Sequence, residues 1–153
     1  MPQEVYYAIR IVHLLSMAVW FATPLTIVSD LKKSIARGKP HTDVVVSRVE
    51  RQLSIATIGA ILTILSGLGM IFSLGGFGAV SPRIHAGFTL ALVVLTVEFF
   101  PLKGTVARLG ESLASENARD AQPLVKRVGM FAGITHFLKL TILILMVIKI
   151  GGR

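Results

Sequence analysis

The chain has no cysteine, which excludes a disulfide, a Cys-ligated iron-sulfur cluster, a thiolate zinc or copper site and a cysteine nucleophile. Any metal must therefore be held by histidine, methionine, lysine or a carboxylate. Charge is sparse, at 16% of residues, and acid is the scarcer sign, with eight Asp and Glu against sixteen Lys and Arg. The net charge of +8 would suit a nucleic-acid surface only if the cations formed a patch among aromatics. Here most of them lie between apolar stretches, so nucleic acid is not the expected partner. Also missing are a phosphate-binding loop, a dinucleotide fingerprint, an HExxH pair and a Ser/His/Asp set in suitable context. Any catalysis is then redox chemistry borrowed from a cofactor.

What the chain does have is apolar length. Of its 153 residues 53% are hydrophobic, and the mean hydropathy is +0.73. These values lie outside the soluble range and point to lipid as the solvent. A membrane-spanning helix needs about 20 apolar residues. Four windows qualify: Val5 to Val28, Leu53 to Leu74, Ile84 to Leu102 and Val128 to Ile150. The expected fold is an all-α, single-domain transmembrane four-helix bundle covering residues 1–153. The first window reads as a permanent span, because its leading segment is acidic and no small-residue cleavage site follows before Asp30.

Two loops carry the basic residues. Lys32, Lys33, Arg37, Lys39, Arg48 and Arg51 separate spans one and two, and Lys103, Arg108, Arg119, Lys126 and Arg127 separate spans three and four. The turn between spans two and three has Arg83 alone. The positive-inside rule predicts cytoplasmic loops, outer termini and, for a bacterial chain, the inner membrane. Ser29 to Arg37 is expected to prolong span one until Gly38 and Pro40, and Thr105 to Ala118 to prolong span three ahead of Pro123.

Ionisable groups inside a span mark candidate sites. Arg10 and His13 lie on span one, His85 opens span three, Glu98 is near its inner end, and His136 and Lys139 are on span four. Helical spacing aligns His13, Met17 and Trp20, with Arg10 one turn further out. That stripe suits haem b, with imidazole on iron, an apolar wall, and an outer arginine for a propionate. An interhelical hydrogen bond is the structural alternative for His13. His136 is the preferred second ligand by depth, since it and His13 each lie about 12 Å from one end of their spans; His85 is the alternative. Lys139 needs a partner, and Glu98, a propionate or a helix carbonyl are the candidates. The stripe Ala56, Ala60, Thr63, Gly67 and Met70 on span two is read as helix packing first and contact with a haem edge second.

The run from His13 through Trp20, Phe21 and Ala22 resembles the first span of the HemJ-type protoporphyrinogen oxidases. Val49-Glu50-Arg51-Gln52-Leu53 is similar to that family's lead into span two, and Ile84-His85-Ala86 to its start of span three. The resemblance is collinear over roughly the first hundred residues, and the broader group includes CopD-like copper-resistance domains. It implies a membrane helical protein binding b-type haem. Gly87 stands where that family usually has a lysine, and no Asn-Glu pair opens the last span near Gly129 to Ala132. The expected function is a haem-binding redox protein taking electrons from a quinol or porphyrinogen-like donor. A copper-handling protein using His13, Met17 and His136, or a structural subunit of a larger membrane complex or homo-oligomer, are the rivals.

Overall fold

The computed structural model describes residues 2–115 and 118–147, excepting the side chains of 118–120. Six α-helices occupy it: α1 (Gln3–Ala22), α2 (Ile27–Arg37), α3 (His41–Ser73), α4 (Pro82–Val97), α5 (Lys103–Ala114) and α6 (Ala118–Val147). They combine into four long apolar rods, Gln3–Arg37, His41–Ser73, Pro82–Ala114 and Ala121–Val147, each able to cross a bilayer. Only 22 to 33% of the residues in each rod's most apolar window are buried, so most of its side chains face outward. Lipid tolerates that arrangement and water does not. The chain is a multi-pass membrane protein. The end of the fourth window, through Ile150, and the Arg119 side chain lie outside the described residues.

Rods one and three run on past their membrane windows, and in both cases a proline sits at the join. Pro24 lies in a 3-10 turn, Thr23–Thr26, that links α1 to α2 without breaking the rod. Pro101 lies in a π-helical turn, Glu98–Leu102, that links α4 to α5. A proline removes one N–H and crowds the carbonyl four residues back, so a local change of helical pitch relieves the clash. The rod Gln3–Arg37 stops where expected: Gly38 has φ of 69° and its N–H caps the carbonyl of Ile35 at 3.2 Å. α5 ends at Ala114, short of Ala118. Pro123 starts nothing and stops nothing, standing in the second turn of α6, where its missing N–H forfeits a single helix bond.

Packing divides the bundle into two cores. One joins α2, the start of α3, α5 and the start of α6 around Leu31, Val49, Val106 and Val128, all at 0% exposure. The other joins α1, α3, α4 and α6 around Trp20, Ala60, Val94 and Ile142. α1 and α3 meet at Gly59, where an added Cβ would lie 3.1 Å from both the Ser16 carbonyl and the Trp20 nitrogen. Backbone cannot swing aside as a side chain can. Gly59→Ala is therefore expected to force the two helices apart and cost about 1–3 kcal/mol, measured as a lowered midpoint of detergent-induced unfolding.

Candidate functional site

Between α1, α3, α4 and α6 lies a cavity of about 430 Å³, within the size range of small-molecule and cofactor sites. Its wall is almost wholly apolar and includes Met17, Trp20, Phe21, Ile64, Phe88 and Leu143. Two groups interrupt that surface with titratable nitrogen: His13 on α1 and Lys139 on α6.

His13 belongs to a polar seam between α1 and α3. Its Nδ1 lies 3.0 Å from the Thr63 carbonyl oxygen and 3.1 Å from Ser66 Oγ. A carbonyl can only accept, so the network assigns the ring proton to Nδ1. Nε2 is then the unprotonated nitrogen, with a lone pair available to an iron or a ligand N–H. The rest of the seam satisfies itself, with Thr63 Oγ1 donating to the Gly59 carbonyl at 2.7 Å and Ser16 Oγ donating to the Val12 carbonyl at 2.7 Å. Gly67 gives the imidazole room, since a Cβ there would sit 3.3 Å from His13 Cε1. An imidazole with one nitrogen tied to a carbonyl and the other free is the usual state of a metal-binding histidine.

The end of the cavity away from His13 is a buried charge knot. Lys139 Nζ lies 2.6 Å from Glu98 Oε1, with both side chains 3% exposed. Glu98 Oε2 accepts the Trp20 indole N–H at 2.6 Å. Lys139 also donates to the Trp20 carbonyl at 2.9 Å, and its ammonium stands 4.9 Å from the centre of the indole ring. The proline join explains why that carbonyl is free: its ordinary donor would be the N–H of residue 24, which proline lacks. The π turn starts at Glu98 itself. Both helix irregularities thus converge on one ion pair.

No family model matches the chain, and neither does a curated protein or a solved structure. The site is therefore read from its own geometry.

The cavity wall brings together His13, Met17 and Trp20 from the span-one stripe and adds Lys139. Arg10 is exposed and is not part of the wall. His136 lies against Phe21, ring centres 5.2 Å apart, and Phe21 is itself a wall residue. His85 is exposed, its ring 5.6 Å from that of Phe77. Neither His136 nor His85 lines the cavity. The small-residue stripe on α3 splits in two: Ala56 and Ala60 pack in the core, while Thr63, Gly67 and Met70 face the cavity. The Thr63 and Ser66 partners of His13, and the Trp20 bond to Glu98, are additions that only the fold supplies. Thr63 shared a stripe with Gly67; Ser66 gave no signal beyond being a hydroxyl in a span.

Proposed function

We propose that the chain is a b-type haem-binding redox protein of the membrane, in which His13 would hold the haem iron and a quinol or porphyrinogen-like molecule is the electron donor. The carrying observation is His13 at the wall of an apolar cavity, its Nδ1 3.0 Å from the Thr63 carbonyl oxygen, which leaves Nε2 for a ligand. A macrocycle brings four nitrogen donors of its own, so one protein imidazole suffices to place its iron. A bare copper ion needs its ligands from the protein, and among the described residues no three histidines or carboxylates converge. That difference favours haem over copper handling.

The residues present fit such a group. His13 would hold it through Nε2, while Met17, Trp20, Ile64 and Phe88 would cover its faces and keep water out. Bound haem supplies reversible one-electron chemistry. Thr63 keeps the His13 proton on Nδ1 and fixes the ring plane. The basic residues gathered where rod one meets rod two and where rod three meets rod four set the orientation, with those ends cytoplasmic and the termini outside a bacterial inner membrane.

The test is the absorption spectrum of the detergent-purified protein after haem supplementation, oxidised and then dithionite-reduced. A Soret band and a sharp reduced α band are expected, both lost in His13→Ala. Parallel spectra of His136→Ala and His85→Ala identify any second ligand. A featureless visible spectrum in the unaltered protein overturns the reading and moves it to a structural subunit, or, if copper is present in stoichiometric amount, to copper handling.

A further inference from the structure

The cavity wall carries one cationic side chain, Lys139, and no acidic one among the described residues; its counter-ion Glu98 stands behind it, outside the wall. An ammonium has three N–H donors. One goes to the Trp20 carbonyl and one side of the group faces Glu98, which leaves a donor without a protein acceptor. His13 and Trp20 are seven residues apart on α1, so the two polar ends of the cavity are separated by about 10 Å of helix rise. On the far side of the ion pair Leu102, Val106 and Val128 are at 0% exposure, whereas the cavity wall includes Lys139 itself. The cavity is where Lys139 can meet a ligand.

We propose that Lys139 is the cavity's second anchor and that it seats the carboxylate of a planar apolar acid whose other end lies at His13. This deepens the haem reading and rests on it for the choice of macrocycle. The buried pair holds one positive and one negative charge before the ligand arrives. Adding a carboxylate would leave a net buried negative charge, which a low-dielectric site opposes strongly. One proton therefore accompanies each carboxylate seated, so that the site keeps its balance of charge. The other groups around this pair are few. α1 contributes the Trp20 indole and, further out, His13; α6 contributes His136 one turn before Lys139; α3 contributes Ala56, Ala60 and Thr63, none of them charged.

The sign follows directly. The free acid is ionised in water above about pH 5, so a ligand that must bind with a proton binds less well as pH rises, by about tenfold per unit for one carboxylate. Its ester has no such dependence. Glu98→Gln removes the competing negative charge, so the acid should bind more tightly and without a pH slope.

The experiment titrates metal-free protoporphyrin IX and its dimethyl ester into the full chain in bicelles between pH 6 and 8. Quenching of Trp20, the chain's one tryptophan, is the readout. The proposal expects a pH slope for the acid alone, loss of that slope in Glu98→Gln, and equal affinity for acid and ester in the Lys139→Met/Glu98→Gln double variant, which leaves no unpaired charge to unfold the bundle. Equal binding of acid and ester by the unaltered chain, or an unchanged slope in Glu98→Gln, overturns it. Comparison of the unaltered chain with His13→Ala separates the two readings: haem bound by the unaltered chain and lost in His13→Ala, with metal-free acid still bound, supports both; haem bound by the unaltered chain with equal binding of acid and ester defeats Lys139 alone; and no macrocycle bound by the unaltered chain defeats both.

Discussion

Lys139→Met alone should destabilise the folded bundle by about 3–5 kcal/mol, the usual penalty for leaving one member of a buried ion pair unpaired. The lysine is 4% exposed and its partner Glu98 is 3% exposed, so neither can turn to water. Removing the ammonium also strands the Trp20 carbonyl, which the missing N–H of Pro24 leaves without a helix donor. Glu98→Gln alone should do less harm, because a neutral amide can still accept the Trp20 indole N–H. The double variant should recover most of the loss, since two neutral side chains of similar volume need no counter-charge. The measurement is a double-mutant cycle on reversible unfolding in mixed micelles, followed by helical circular dichroism. A coupling near zero would mean that water reaches the pair and that the knot is not what holds α1, α4 and α6 together.

The difference between what was readable in the sequence and what was not has a physical basis. Hydropathy acts over twenty residues at a time, so the four spans stand out in the composition, and so do their stops at Gly38 and at the glycine-rich turn after Ser73. Helical spacing is equally local, and it places His13, Met17 and Trp20 on one wall correctly. Glu98 was one of several partners open to Lys139, since spacing within one helix says nothing of which neighbour a side chain meets. The Trp20 contact with Glu98 joins residues 78 positions apart, and only the packing of three helices creates it. One local signal did point there: a proline four residues after Trp20 must free the Trp20 carbonyl. The depth argument that paired His13 with His136 treated the spans as parallel rods of equal tilt. The ring of His136 lies against Phe21, outside the cavity wall, and rotation about the α6 axis decides that, not depth.

Gly67→Val should abolish macrocycle binding, by at least tenfold in affinity, while leaving the helices assembled. A Cβ at this position would come within 3.3 Å of His13 Cε1 and 3.6 Å of His13 Nδ1. The imidazole can retreat only by giving up the hydrogen bond between Nδ1 and the Thr63 carbonyl. The two added methyls then occupy cavity space that a flat ligand needs, and the ring tilts off its hydrogen bond. α3 should tolerate the residue, because valine suits a lipid-bathed helix better than glycine does and no backbone lies within 4 Å of the new atom. Gly87→Ala is the contrast. Its Cβ would meet Met146 Cε at 2.7 Å, but a methionine end on an exposed stretch of α6 swings aside at little cost, so binding should change less than threefold. Binding is read by Trp20 quenching and assembly by circular dichroism. Should Gly67→Val bind as well as the unaltered chain, the ligand would sit elsewhere than at His13. The α1–α3 seam would then be packing alone, and the free Nε2 of His13 would have no bearing on chemistry.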